Sequence, residues 1–196
     1  MLSVSAAACA LALLATPADA APPSTGEGFD CSGLADGNYP DPNANTHYVA
    51  CVAQTYAYSM VCASNHDGNP LYYIANSGPD PATSRCDYPE VAAIQTPSLT
   101  AGTAKIGGDP RVVQGLTATV LNDGQRLRGA WVEFTDAEGA VLCGAFTRAD
   151  GVARCDSAPL PTDAAVLAKG YTATYAGGGD PEVGWQPASG TGSITV

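Results

Sequence analysis

Charged side chains are scarce in this chain, since they make up 14% of its 196 residues, against about 25% in an average soluble protein. The charge is also one-sided, because 19 Asp and Glu residues stand against 8 Lys and Arg residues, for a net charge of −11. An acidic surface repels phosphate backbones and sulfated glycans, so we expect no nucleic-acid partner. Such a surface is compatible with a neutral polymer and attracts a cationic one. Solubility is the alternative explanation of the negative charge.

Sequence motifs of catalysis and metal binding are missing as well. There is no HExxH, GxSxG or P-loop pattern, and His47 and His66 are the only histidines. The cysteines stand singly rather than as CxxC pairs, which argues against zinc. Residues 41–45 resemble the start of a calcium loop, but Thr46 and Val52 replace the required Gly and Glu, which indicates a turn. We therefore expect a protein that is not an enzyme and uses no cofactor or metal.

Long apolar runs are confined to residues 1–20, which end in the small-x-small sequence Ala18-Asp19-Ala20. This pattern predicts a secretory signal cleaved before Ala21, with no membrane segment left after its removal. Residues 21–28 are expected to form a tether. Cleavage removes Cys9 and leaves six cysteines, an even number that indicates disulfides in a secreted, extracellular protein.

The remaining chain divides by composition. Residues 29–90 hold four cysteines and seven of the nine tyrosines but few aliphatic residues, so this module needs covalent staples. Residues 91–101 contain Pro97 and are predicted to be a linker. Residues 102–196 alternate between apolar and polar positions in short runs separated by Asp-Gly turns, which predicts a β-sandwich. Cys143 and Cys155 flank the Asp150–Gly151 turn, so we expect them to pair across a hairpin.

The second half resembles bacterial Ig-like domains. The resemblance rests on alternating segments and covers most of the last 95 residues: Leu116–Val120, Gly129–Phe134, Leu142–Cys143, Thr147–Cys155 and Gly170–Gly177. It implies a spacer or docking domain whose protein partner is unknown, and the fold alone implies no chemistry.

The first half resembles the peritrophin-A type of chitin-binding domain, a family-14 carbohydrate-binding module. The matching segments include Phe29–Cys31, Asp36–Tyr39, Leu71–Tyr73 and Asp80–Pro89. The resemblance implies the disulfides Cys31–Cys51 and Cys62–Cys86. The family's third bridge would join Asn45 to Ala92 or Ala93, so both of its cysteines are absent together. The fold class expected for the chain is all-β, with a small disulfide-stapled β-hairpin module followed by an Ig-like β-sandwich.

The resemblance also implies a ligand, chitin or a related N-acetylglucosamine polymer. Tyrosine suits such a ligand because its ring stacks on a sugar face while its hydroxyl forms hydrogen bonds. The candidate carbohydrate-binding residues are Tyr56, Tyr58, Asn69, Tyr72, Tyr73, Asp80 and Tyr88. The same rings can instead fill a small core, and both interpretations stay open at this point. The alternative function is an extracellular adhesion or structural protein whose first module no longer binds sugar.

Overall fold

The computed structural model describes residues 28–74, 79–80, 82–108, 110–160, 164–179 and 184–195. The expected signal segment and most of the expected tether lie outside these ranges. The described chain is almost entirely β, which confirms the predicted fold class. Helical structure in the described ranges is limited to α1 (Ala164–Leu167) and one 3-10 turn at Pro89–Val91.

The first module is built on a three-stranded antiparallel sheet in the order β1-β2-β3. A two-stranded sheet follows it, formed by β4 and β5. The strands are β1 (Gly37–Pro40), β2 (His47–Val52), β3 (Tyr56–Val61), β4 (Tyr72–Tyr73) and β5 (Cys86–Asp87). Few apolar residues are buried here, and three of them are cysteines: Cys31, Val49, Cys51, Cys62 and Tyr73.

Two disulfides staple this module, and they are the pairs that the sequence led us to expect. Cys31–Cys51 joins the segment before β1 to β2, and Cys62–Cys86 joins the end of β3 to β5. The first disulfide also lies beside the start of β3, because Cys31 Sγ is 3.4 Å from the carbonyl oxygen of Tyr56. Strand β3 is therefore covalently linked at its end, through Cys62, and its start lies against the first disulfide.

The sandwich consists of a four-stranded and a six-stranded sheet. In the four-stranded sheet, β6 pairs with one edge of β9, and β10 and β13 pair with its other edge. The six-stranded sheet has the order β12-β11-β14-β15-β7-β8. The strands are β6 (Ser98–Ala101), β7 (Thr103–Gly107), β8 (Val112–Gln114), β9 (Leu116–Asn122), β10 (Gln125–Arg126), β11 (Trp131–Asp136), β12 (Val141–Phe146), β13 (Val152–Cys155), β14 (Tyr171–Tyr175) and β15 (Ala188–Thr195).

The predicted alternation places every second residue in the sandwich core. Leu116, Ala118 and Val120 of β9 are buried, and Val132 and Phe134 of β11 pack into the same cluster. The Asp123–Gly124 turn joins β9 to β10 with positive φ at both residues, as a two-residue hairpin of the primed type requires. This turn and the alternating strands were both predicted from the sequence.

The predicted linker, residues 91–101, is partly wrong. Its last four residues form β6, which pairs with β9 in the four-stranded sheet. At Gly102 the chain then crosses to the other sheet, where β7 pairs in parallel with β15. The hydroxyl of Tyr171 donates to the carbonyls of Gly102 and Thr117 at this crossing. The segment was predicted as a linker because it contains Pro97 and shows no apolar periodicity, and a four-residue strand is too short to reveal one.

The third disulfide, Cys143–Cys155, has the expected partners but not the expected setting. Strand β12 carries Cys143 and pairs with β11, whereas β13 carries Cys155 and pairs with β9. The two strands thus belong to different sheets. This disulfide ties the two layers of the sandwich together rather than closing a hairpin.

A loop of the first module, residues 41–45, inserts into the end of the sandwich, and we call it the docking loop. The Asn43 amide nitrogen donates to the Gly129 carbonyl at 2.6 Å, and its amide oxygen accepts from the Trp131 backbone nitrogen at 2.8 Å. The Tyr175 hydroxyl donates to the Pro42 carbonyl, and burial raises the pKa of Tyr175 far above its ordinary value, with the charge of Asp41 adding to the effect. The docking loop is therefore part of a shared interior.

The positions of the family's missing disulfide also lie at this junction. Asn45 is buried, and together with Ala92 and Ala93 it lines one small cavity that is closed by Trp185 of the sandwich. Gly184 packs so closely on Asn45 that an added Cβ atom would lie 2.8 Å from the Asn45 Cβ atom. The sandwich thus packs against the part of the first module where the resemblance expects a covalent bond.

Candidate functional site

The outer face of β3 carries two exposed tyrosine rings. Tyr56 is 59% exposed and Tyr58 is 52% exposed. They lie two residues apart on one strand, so both rings project from the same face of the sheet, roughly 7 Å apart. We call this pair the tyrosine ridge. Water reaches both rings, as stacking on a sugar face requires.

The opposite face of the same sheet is buried and fixes the position of the ridge. Val49 and Cys51 of β2 point to that side and are almost inaccessible to solvent. Tyr58 pairs with Ala50 and Tyr56 with Val52, so the ridge stands over small or aliphatic neighbours. These neighbours leave the ring faces open. The sheet presents the ridge on a backbone that the two disulfides hold.

The hairpin between β2 and β3 is tight. Ala53 and Gln54 both have positive φ, and the Thr55 nitrogen donates to the Val52 carbonyl at 3.2 Å. The Gln54 nitrogen is held by the Asp36 carboxylate at 3.0 Å. Positive φ costs free energy for residues with a Cβ atom, so this turn is held against its intrinsic preference. It sets the register that places Tyr56 and Tyr58 outward.

Tyr73, one of the candidate ligand-contacting residues, is in the core. Its side chain is 7% exposed, its ring stacks on Tyr48 with centroids 5.2 Å apart, and its hydroxyl donates to the Asn38 carbonyl. A ring that is covered in this way cannot stack on a polymer. The prediction that Tyr73 contacts the ligand is therefore wrong, because β4 packs against β2 and alternation turns Tyr73 inward.

The other candidates lie at or near the two-stranded sheet. Tyr72 is half-buried on β4 and pairs with Asp87, while Tyr88 directly follows β5 and is exposed. Asn69 is exposed and its backbone closes a turn with Asn65. Asp80 is also exposed, but its carboxylate caps its own turn by accepting from the Ala82 nitrogen. Among the described residues, no hydrogen bond, ion pair or ring stacking joins these four to the tyrosine ridge, so the structure divides the candidates into two groups.

Sequence reasoning missed three exposed apolar side chains next to the ridge. Met60 continues the ridge along the same face of β3, Val61 ends the strand, and Val52 lies opposite Tyr56. The signal was present in the sequence, because alternation places Met60 with Tyr56 and Tyr58. Charged side chains are absent from β3, whose sequence is YAYSMV. The exposed surface of this strand is thus uncharged within an acidic module.

Among the described residues, no cluster of three or more His, Cys, Asp or Glu is placed to hold a metal ion. His66 is exposed, and its Nε2 atom lies 2.9 Å from the neighbouring Asp67 carboxylate. In the described part of the chain, no helix has the length and hydropathy needed to cross a membrane.

Comparison with known proteins adds no relative. No protein-family model matches the chain, and neither a curated protein nor a solved structure is significantly similar to it. A function for this chain therefore has to be argued from the geometry of its own residues.

Proposed function

We propose that this chain is an exported, non-catalytic protein that binds chitin or a related N-acetylglucosamine polymer through its first module. The observation that carries the proposal is the tyrosine ridge, two exposed rings on a strand that ends at a disulfide and pairs with the disulfide-bonded strand β2. Exposed aromatic surface that is rigid before binding loses little conformational entropy on binding. The uncharged strand also suits a polymer without charge.

Export is part of the proposal. The three disulfides suit an oxidising compartment, and the apolar segment at residues 1–20 supports secretion. In this proposal the sandwich is more than a spacer, because the docking loop joins it to the binding module.

Retention on insoluble chitin beads tests the binding. Replacing Tyr56 or Tyr58 by Ala should each weaken retention by about 1–2 kcal/mol, the scale of losing one aromatic contact from a shallow site. Tyr58→Phe should retain most of the binding, since the stacking face remains. Val141→Ala removes an exposed apolar side chain from the sandwich and is the matched control.

The expected pattern is loss of retention for the two ridge variants only, with their folding confirmed by circular dichroism. Wild-type protein that passes through chitin unretained would remove the proposal. Normal retention of a folded Tyr56→Ala, Tyr58→Ala double variant would move the site to Tyr72 and Tyr88.

A second candidate function is adhesion to another protein. Met60 and Val52 extend the ridge with aliphatic surface that no sugar needs, and contiguous exposed apolar surface is typical of protein contacts. Met60→Ser distinguishes the two functions, since it should leave chitin retention intact while weakening a protein contact.

A further inference from the structure

A groove runs along the junction between the first module and the sandwich, and we call it the junction groove. Its deeper end is a cleft of about 170 Å³. On the first-module side the cleft is apolar, with Phe29, Leu34, Tyr39 and Pro40 as its wall. The sandwich side is the segment 126–128, in which Leu127 lies between two arginines.

A second depression of about 250 Å³ continues the cleft and shares Pro40, Arg126 and Leu127 with it. Its further wall is polar and includes Asn122 and Gln125. Arg126 thus stands at the border between the two parts. Along its length the junction groove changes from an apolar wall, faced by Arg126 and Arg128, to a polar wall with Asn122, Asp123 and Gln125.

The walls of the cleft are fixed by contacts within the chain. The Tyr39 hydroxyl donates to the Ala35 carbonyl at 2.7 Å, and its ring lies 6.2 Å from that of Phe29. One guanidinium nitrogen of Arg128 donates to the carbonyls of Asp30 and Ser32, at 3.0 and 2.6 Å. A pre-formed concave site of this kind binds without a large ordering cost.

Two carboxylates near the junction groove, Asp30 and Asp150, have partners of their own. Asp30 accepts from the backbone nitrogens of Ser32 and Ala149, and its pKa is lowered mainly by its hydrogen bond to the Ser32 side chain. Asp150 pairs with Arg154 at 2.7 Å. Arg126 is exposed, and its bond at 3.0 Å goes to the Asp150 backbone carbonyl, which carries no charge. Asp123 lies at the polar end. Arg126 therefore offers a positive charge at the middle of the groove.

We propose that the junction groove binds the C-terminal residue of a partner polypeptide. The apolar side chain of that residue enters the cleft, its carboxylate meets Arg126, and its amide lies against Asn122 and Gln125. A guanidinium presents paired donors that match the two oxygens of a carboxylate. The polar depression has room for the preceding residue, which favours a peptide over a free small molecule. The apolar cleft offers a sugar ring few hydrogen bonds.

The test uses the full chain labelled with ¹⁵N and the peptide Gly-Gly-Gly-Phe as the probe. Titration should shift the amide signals of Phe29, Leu34 and Leu127 saturably. Arg126→Gln should weaken binding about five-fold, the scale of one exposed ion pair. Arg85→Gln removes an exposed charge from the residue before β5, outside the groove, and should leave the peptide affinity unchanged. Leu34→Phe should narrow the cleft and weaken binding even though the charge is kept.

Four results would each overturn the inference. The first is that no amide signal of the groove shifts, and the second is that the peptide with an amidated C-terminus binds as well as the free acid. The third is that N-acetyl-L-phenylalanine binds as tightly as the peptide, which would make the ligand a small molecule. The fourth is that chitin oligosaccharides displace the peptide, which would make the groove a sugar site. None of these results bears on the retention of wild-type protein by the tyrosine ridge, so the two proposals are tested separately.

Discussion

The two parts of this chain are stabilised in different ways. In the sandwich, seventeen described residues form one buried apolar cluster, whereas the first module buries five apolar residues, three of which are cysteines. The sandwich is therefore stabilised mainly by its hydrophobic core. The first module depends on cross-links and on the docking loop, because so small an apolar interior contributes little against the entropy of ordering. The difference teaches that a module with little core of its own can obtain stability from its neighbour.

Removing a disulfide should show the largest contrast. We expect Cys31→Ala with Cys51→Ala to cost about 2–5 kcal/mol and to unfold the first module, because little else holds β2 and β3. The same treatment of Cys143 and Cys155 should lower the melting temperature of a sandwich that stays folded. Near-UV circular dichroism during thermal unfolding follows both parts. A first module that stays folded without its disulfide would remove the contrast.

Removing the two hydrogen bonds that the Asn43 side chain forms with the sandwich should have the next largest effect. Asn43→Ala leaves the Gly129 carbonyl and the Trp131 nitrogen without their side-chain partner. We expect a loss of about 2–3 kcal/mol and separate melting of the two parts, which calorimetry would resolve. Asn69→Ala, on an exposed turn, is the matched control. If Asn43→Ala melts like the wild type, the Asn43 hydrogen bonds do not couple the two parts.

Alkaline pH should weaken the same junction. Burial raises the pKa of Tyr175 in the folded state, so its proton is kept when an unfolded tyrosine would lose it near pH 10. Its contribution is complete below pH 10 and falls above it, by about 1.4 kcal/mol for each pH unit, until the folded pKa is reached. Denaturant unfolding between pH 8 and 11 measures the slope. Tyr175→Phe should make that slope shallower by the contribution of about one proton. An unchanged slope would show that Tyr175 is not its cause.

The smallest expected effect concerns the β2–β3 hairpin. Gln54→Gly relieves positive φ at this turn, and we expect a gain of about 0.5–1 kcal/mol in the stability of the first module. Chitin retention should not change, because the ridge keeps its register. Gly124→Ala makes the opposite change at the Asp123–Gly124 turn of the sandwich and should destabilise it. A destabilised Gln54→Gly variant would show that the side chain does more than occupy the turn.

Much of the fold could be predicted because it depends on local patterns. Alternation identified strands such as Leu116–Asn122 and Trp131–Asp136, and the Asp-Gly pairs identified turns. The resemblance supplied the two disulfides of the first module, and Tyr56 and Tyr58 were correctly assigned to one face of a strand. Burial of Tyr73 was not predicted, because a two-residue strand gives no pattern to show which of two adjacent rings faces inward.

The sequence by itself determined that segments such as β9 and β11 are strands and where several of them turn, since these follow from side-chain period and backbone preference; the pairing of the first four cysteines came from the resemblance. Only the tertiary structure decided that β6 joins the sandwich, that Cys143–Cys155 spans two sheets and that residues 41–45 insert beside Tyr175. The physical reason is that these contacts join residues far apart in the chain. Their formation depends on how the two parts pack, and no local pattern of residues records that packing.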